Sequence, residues 1–209
     1  MPLAVQASLL DLADDVRLGA LSGAVRRTPL AHGAWVDHRP GWVAGSDSVL
    51  DALVREIPWR HERRRMYDRV VAVPRLIAWY AESAPLPHPV LVDARACLSA
   101  YYRPELGEPF TTAGCCLYRD GRDSVAWHGD TIGRAATQDT MVAIVSFGSP
   151  RALLLRPRSG GRSLSFRLGH GDLLVMGGSC QRTWEHAVPK TAAAVGPRVS
   201  IQFRPRGVA

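Results

Sequence analysis

The sequence predicts a mainly β (α+β) protein, with a jelly-roll or barrel core flanked by N-terminal helices. Three observations carry this. From Thr111 onward, short β-type runs recur at regular spacing. Turn residues separate them, as Asp-Gly, Gly-Ser-Pro, Ser-Gly-Gly and Gly-His-Gly-Asp. Before residue 110, apolar residues fall at helical spacing in two places. Short strands punctuated by turns close into sandwiches or barrels, whereas a parallel α/β sheet needs a helix between strands.

Taken in order, the first helix is "SDSVLDALVREIPW". Cap candidates at Ser46 to Ser48 precede Leu50, Leu53, Val54 and Ile57, and Pro58 ends the run. "DRVVAVPRLIAWYAESAPLPHP" is β-branched and aromatic, then proline-rich, and reads as one or two strands and a loop. In "HPVLVDARACLSAYY", Val90, Leu91, Ala94, Leu98 and Tyr101 share one helical face. The strands expected next are "GCCLYRD", "SVAWH", "MVAIVSFG", "RALLLRP", "SLSFRLG", "DLLVMGG", "WEHAV" and "RVSIQFRP". Residues 1–45 then form an N-terminal extension, 46–110 a helical support and 111–209 the core. All of it fits one compact domain, since 209 residues can bury a sizeable core.

The net charge is +7, and every basic residue except Lys190 is arginine. This excess favours a polyanionic partner, most simply nucleic acid. The densest run, "RHERRRMYDR" from Arg60 to Arg69, suits phosphates, though a solvated face would look the same. No run approaches the roughly 18 apolar residues of a membrane span. The N-terminus lacks a basic n-region and carries early acids, so a cytoplasmic location and no secretory signal are expected. Cys97, Cys115, Cys116 and Cys180 form no CxxC pair and read as buried thiols.

The tripeptide His-Gly-Asp occurs twice. At 170–172 it lies between two runs of similar length, and the flanking glycines and Asp172 suit a hairpin connection. At 128–130 it ends a strand, so His128 and Asp130 project to one side if the chain stays extended. "TWEHAVP" offers His186 as a third ligand. Two His and one carboxylate make a facial triad that leaves coordination positions open. In "RVSIQFR", Arg198, Ser200, Gln202 and Arg204 share a face opposite Val199, Ile201 and Phe203. Two arginines on one cavity wall would suit a dicarboxylate, and an exposed polar strand face fits the same alternation.

Together, "VPRLIAWYAE", "CCLYRDGRDSVAWHGD", "IVSFGSPRALLLR", "LGHGDLLVMGG", "WEHAVPK" and "PRVSIQFR" resemble successive blocks of the AlkB family. These are Fe(II)- and 2-oxoglutarate-dependent nucleic-acid dealkylases, and the likeness is greatest to the second and third human homologues. The resemblance implies a double-stranded β-helix core, with part of 46–110 as a nucleotide-recognition lid. It makes His128, Asp130 and His186 the iron ligands and the catalytic centre. It assigns Arg198 to the distal carboxylate of 2-oxoglutarate, Arg204 to the end near the metal, and Tyr118 to the same co-substrate. Cys116 and Ser200 stand beside it where the family carries asparagines. Trp79, Tyr80, Glu82 and Thr131 are the candidates for substrate contact. Thr131 and Ile132 occupy the place of a family acid that meets the damaged base, and "AESAPLPHP" replaces a longer aromatic segment.

The implied activity is O2-dependent demethylation of bases of the 1-methyladenine and 3-methylcytosine type in DNA or RNA. Succinate, CO2 and formaldehyde would be released. A single-stranded or flipped-out base, a monomeric enzyme and no membrane partner are expected. An oxygenase of the same fold acting on a small molecule or a protein side chain is the alternative.

Overall fold

The computed structural model describes residues 16–45, 47–66 and 69–208, with backbone alone for 63–66 and 69–72. Four short strands come first: β1 (Arg17–Leu18), β2 (Arg26–Pro29), β3 (Ala34–Arg39) and β4 (Val43–Ala44). Helix α1 (Asp47–Glu56) leads into β5 (Arg60–Met66) and β6 (Arg69–Tyr80), and α2 (Pro89–Leu106) follows. The remaining strands are β7 (Phe110–Tyr118), β8 (Val125–His128), β9 (Val142–Gly148) and β10 (Arg151–Pro157). After them come β11 (Leu164–Leu168), β12 (Leu173–Gly178), the one-turn α3 (Cys180–Thr183), β13 (Trp184–Val188) and β14 (Arg198–Pro205). Each of the eight strands expected after Thr111 is present.

An eight-stranded sheet runs β2-β3-β12-β9-β14-β7-β6-β5, and a four-stranded sheet runs β11-β10-β13-β8. Pairing is antiparallel throughout. Period-two alternation splits the apolar side chains into two cores. On β9, Ala143, Val145 and Phe147 join Leu53 of α1 and Leu91 and Leu98 of α2. Val142 and Ile144 face the other way, into a core shared with Leu153, Leu155, Trp184 and Val188 of the small sheet. Each large apolar side chain buried this way contributes about 1.5–3 kcal/mol. This is the jelly roll, with helices covering the outer face of its larger sheet.

Helix α2 begins as its sequence requires. His88 sits in extended conformation at the N-cap and its Nδ1 accepts from Val90 N–H, with Pro89 just inside. Gly107 ends it at φ 78°. The buried face takes Tyr102 where Tyr101 was expected. Tyr102 lies eleven residues after Leu91, three full turns, and its hydroxyl donates to the buried Asp37 carboxylate at 2.9 Å.

The segment expected as an extension supplies strands to the large sheet. β3 pairs with β12, placing Val36 opposite Met176, and β2 pairs with β3. Its alternation is masked because β3 carries a buried charge. Asp37 is held by both arms of Arg27 at 2.8 Å, and Arg27 also lies 3.6 Å over the Trp35 ring. Residues 1–15, on which the location was read, fall outside the described residues, as does the cap candidate Ser46. The basic run forms β5, paired with β6 at the sheet edge; side chains from Arg63 onward within it are outside the described residues. Among the described residues no helix is long and apolar enough to cross a membrane.

The second His-Gly-Asp is a turn but not a hairpin. β11 belongs to the small sheet and β12 to the large one, so residues 169–172 carry the chain from one layer to the other. Similar run lengths and turn residues specify a reversal; they do not specify which strand each run pairs with. Asp172 accepts from Gly41 N–H and Gly169 N–H, each at 2.7 Å. The four cysteines are free; Cys115 and Cys180 are buried, whereas Cys97 and Cys116 are half-buried.

Candidate active site

Strand pairing brings the triad together. β13 lies beside β8 with His186 directly opposite His128, and the two imidazole centroids are 4.2 Å apart. Asp130 follows two residues past the strand, its backbone N–H donating to Gln181 Oε1 at 3.0 Å. Gly129 makes that turn possible, because a Cβ there would sit 2.6 Å from the Gln181 carbonyl oxygen. One ligand atom from each of His128, Asp130 and His186 lies within 4.8 Å of the other two. Among the described residues this is the one such cluster.

The donor set suits a divalent metal. His128 Nδ1 is 2.8 Å from the Ala126 carbonyl, which fixes the N–H there and leaves Nε2 free to coordinate. Burial, and next the neighbouring His128, pull His186 down to about 3, so its ring is neutral and ready to bind. Burial alone would raise Asp130. Arg204 and the two imidazoles outweigh it and hold the carboxyl at about 2. Asp130 Oδ2 accepts from Arg204 Nε and Nη2 at 2.9 and 2.7 Å, while Oδ1 faces His128 Nε2 at 3.8 Å.

Beyond the triad, a cavity opens between the sheets, lined by His128 and His186 at one end and by Tyr118, Arg198 and Ser200. Its wall is the polar face of β14, so the exposed-face alternative is excluded: Arg198, Ser200 and Arg204 are all buried. Arg198 donates through Nη2 to Ser146 Oγ at 2.7 Å. Its Nε and Nη1 are buried without a protein acceptor. Burial pulls this guanidinium down, Tyr118 partly offsets that, and an arginine remains charged regardless. A buried cation with two unused donors fits a carboxylate. Tyr118, 5.2 Å below Arg198, is pushed up to about 12, first by burial, and so keeps its proton as a donor. The adjacent Arg151 is no competitor, since it donates to the carbonyls of Asp120, Asp123 and Pro189.

Cys116 and Ser200, opposite one another in β7 and β14, are joined through Gln202. Gln202 Nε2 donates to Ser200 Oγ at 2.7 Å, and Cys116 Sγ lies 3.8 Å from Gln202 Oε1. Gln202 was placed on the cavity face without a role; Ser146 and Arg75, whose Nε is also buried without a partner, were absent from the residues singled out for the site. The available signals were a serine inside the apolar run "MVAIVSFG" and an arginine two residues before Ile77 on the same strand face.

The structure does not bring the four substrate candidates together. Trp79 is 51% exposed, with the Arg204 guanidinium 5.8 Å from its ring. Tyr80, on the other face of β6, packs against the helical core. Glu82 is exposed and paired with Arg206 at 2.6 Å. Thr131 is half-buried beside the triad. Gly114 lets Trp79, Gln202 and Arg204 share one patch. A Cβ there would lie 2.8 Å from Arg204 Nη1 and 3.1 Å from Gln202 Oε1. Gly114→Ala should therefore cost about 1–3 kcal/mol through overpacking and displace Arg204 from Asp130. Urea unfolding and the affinity for Fe(II) both read this out.

Residues 44–204 match the model of the 2OG-Fe(II) oxygenase superfamily. The chain belongs to this superfamily. The chain is 34% identical to cattle "Alpha-ketoglutarate-dependent dioxygenase alkB homolog 3", over 80% of its own length, and 33% identical to the human protein of that name. It is 29% identical to the Arabidopsis thaliana "DNA oxidative demethylase ALKBH2" over 75% of its length and 61% of that protein's. The chain is thus similar to AlkB homologue 3 and ALKBH2 proteins over most of its own length. It spans 66% of the length of the cattle and human homologue 3 proteins, just under two thirds. A Burkholderia pseudomallei 2OG-Fe(II) oxygenase-family oxidoreductase shares its fold, with a TM-score of 0.58 at 12% identity over 83% of this chain and 86% of that one. OsALKBH1 does so with 0.59 at 13% over 87% and 100%.

Proposed function

We propose that the protein is an Fe(II)- and 2-oxoglutarate-dependent dioxygenase that removes N-alkyl groups from nucleobases in DNA or RNA. The observation that carries this is the buried, half-unsatisfied Arg198 at one end of a cavity whose other end is the His128–Asp130–His186 cluster. A site that only bound nucleic acid would need neither. The names of the AlkB homologues support the nucleobase as target.

His128, Asp130 and His186 would hold iron. Arg198, helped by Tyr118, would hold the distal carboxylate of 2-oxoglutarate. Arg204 keeps Asp130 ionised and oriented, acting on the metal through its ligand. Ser200 and Cys116, tied by Gln202, line the wall between the two ends. When loaded, such a centre supplies oxidation of the N-alkyl carbon at the expense of O2 and 2-oxoglutarate, with formaldehyde, succinate and CO2 released. The target base must leave its stack to reach the mouth, so single strands are the easier substrates. The arginine-rich surface would follow the phosphates, making binding weaken with salt.

The test is conversion of 1-methyladenine or 3-methylcytosine in a single-stranded oligonucleotide, with formaldehyde measured alongside. Base reversion dependent on 2-oxoglutarate, and lost in His128→Ala, is expected. Succinate release without reversion of any methylated base in DNA or RNA would assign the site to a small-molecule or protein hydroxylase.

A further inference from the structure

Asp130 is the one member of the triad that no strand holds. His128 and His186 face one another across the β8–β13 ladder, whereas Asp130 lies two residues beyond the end of β8. Arg204 aims its carboxylate, but a carboxylate stays aimed only if the backbone beneath it is fixed. The Asp130 amide donates to Gln181 Oε1 at 3.0 Å, and Gln181 is 1% exposed. A buried amide that lost this acceptor would have no water to turn to.

The Gln181 carboxamide has one usable orientation. A backbone N–H can only donate, so the oxygen must face Asp130. Nε2 then lies 3.9 Å from the Met176 thioether on β12, a weak acceptor. The side chain thus reaches from the large sheet to the turn that carries the third ligand. Its own backbone is well mounted. Ser179 Oγ donates to the His32 carbonyl at 2.6 Å, and Trp184 Nε1 to the Ala31 carbonyl at 3.2 Å. These bonds pin both ends of α3 to the turn between β2 and β3. Arg158 N–H, just past β10, donates to the Thr183 carbonyl at 2.9 Å. Gln181 also precedes His186 by five residues, so its bond relates two ligands that come from different strands.

We propose that Gln181 is a positioning residue for the metal site, fixing Asp130 relative to His186 by holding the Asp130 amide. This rests on reading the triad as a metal centre. Groups that orient metal ligands in this way typically carry about ten- to a hundredfold in metal affinity.

Gln181→Leu keeps the bulk and removes the acceptor. In the metal-free protein, hydrogen exchange at the Asp130 amide, followed by NMR, should quicken about tenfold, the weight of one hydrogen bond. Amides in the middle of β9 should keep their rates. Fe(II) affinity, read anaerobically by competition with a chelator, should fall roughly ten- to a hundredfold. Gln181→Glu offers a carboxyl oxygen at the same reach, and should restore the protection and most of the affinity. Should Gln181→Leu not fold, Gln181→Asn, one methylene too short to reach, takes its place. Unchanged exchange at Asp130, unchanged Fe(II) affinity, or a loss that Gln181→Glu shares in full overturns the proposal. A wild type that binds no Fe(II) overturns it together with the metal reading. Fe(II) binding without base reversion sinks the dealkylase reading alone.

Discussion

Asp130→Ala should abolish Fe(II) binding and also destabilise the metal-free protein by about 3–5 kcal/mol, the cost of stranding one member of a buried ion pair. The member stranded is Arg204, 9% exposed, whose Nε and Nη2 both point at Asp130 Oδ2. Urea unfolding without metal separates the structural loss from the loss of ligation. Asp130→Asn should recover part of the stability, because an acceptor oxygen remains, but little of the metal affinity. The acid limb of stability should change too. The folded Asp130 carboxyl titrates near 2 against 3.8 in the unfolded chain. Its contribution, on the order of 2 kcal/mol, is present above about pH 4 and lost as pH falls through 2. In Asp130→Ala that part of the acid transition should flatten. Equal stability of the metal-free mutant and wild type would show that the Arg204 pair contributes nothing net.

Arg198→Leu should act with opposite signs on stability and binding. Without an anion, Arg198 is a buried cation whose Nε and Nη1 have no acceptor, with only the neutral hydroxyls of Ser146 and Tyr118 near it. Replacing it with an apolar side chain of similar reach should leave the metal-free melting temperature unchanged or raised. The same change should weaken 2-oxoglutarate binding by 3–5 kcal/mol, about a hundredfold or more, since two charge-assisted hydrogen bonds go. Anaerobic titration of the Fe(II) complex with 2-oxoglutarate, followed by its visible absorption, reads the second effect. Arg198→Lys should lie between, retaining the charge but not the planar fork. Undiminished affinity in Arg198→Leu would show that the anion is held elsewhere.

Legibility in the sequence followed how local each signal was. His128 and Asp130 stand out because strand and turn are contiguous. His186 needed a partner strand, and only the β13–β8 register places it within reach. Alternation in "RVSIQFR" separated the two faces of β14 correctly, yet left open whether the polar face met solvent or a cavity, because alternation carries no information about what covers a sheet. The second sheet does. The N-terminal strands were missed for a different reason: Asp37 breaks the apolar pattern of β3, and its burial makes sense only once Arg27 and Tyr102 converge on it from β2 and α2. Arg75 and Ser146 were passed over because an isolated polar residue in an apolar strand signals a buried partner without saying what that partner is. Tyr80 shows the limit of adjacency, since one step along β6 from Trp79 turns a side chain from the mouth into the core.

The turn at Gly169–Asp172 carries no chemistry, yet it is not independent of the site. Gly171 N–H donates to the Ser146 carbonyl and Ser146 N–H to the Asp172 carbonyl, at 2.8 and 2.9 Å. The hydroxyl of that same serine accepts from Arg198 Nη2 at 2.7 Å. A substitution of Asp172 that loosens this turn, by freeing Gly41 N–H and Gly169 N–H, should therefore be felt at Ser146 and Arg198. A turn that repeats the three letters of the metal motif thus sets the position of the serine that meets Arg198 on the cavity wall.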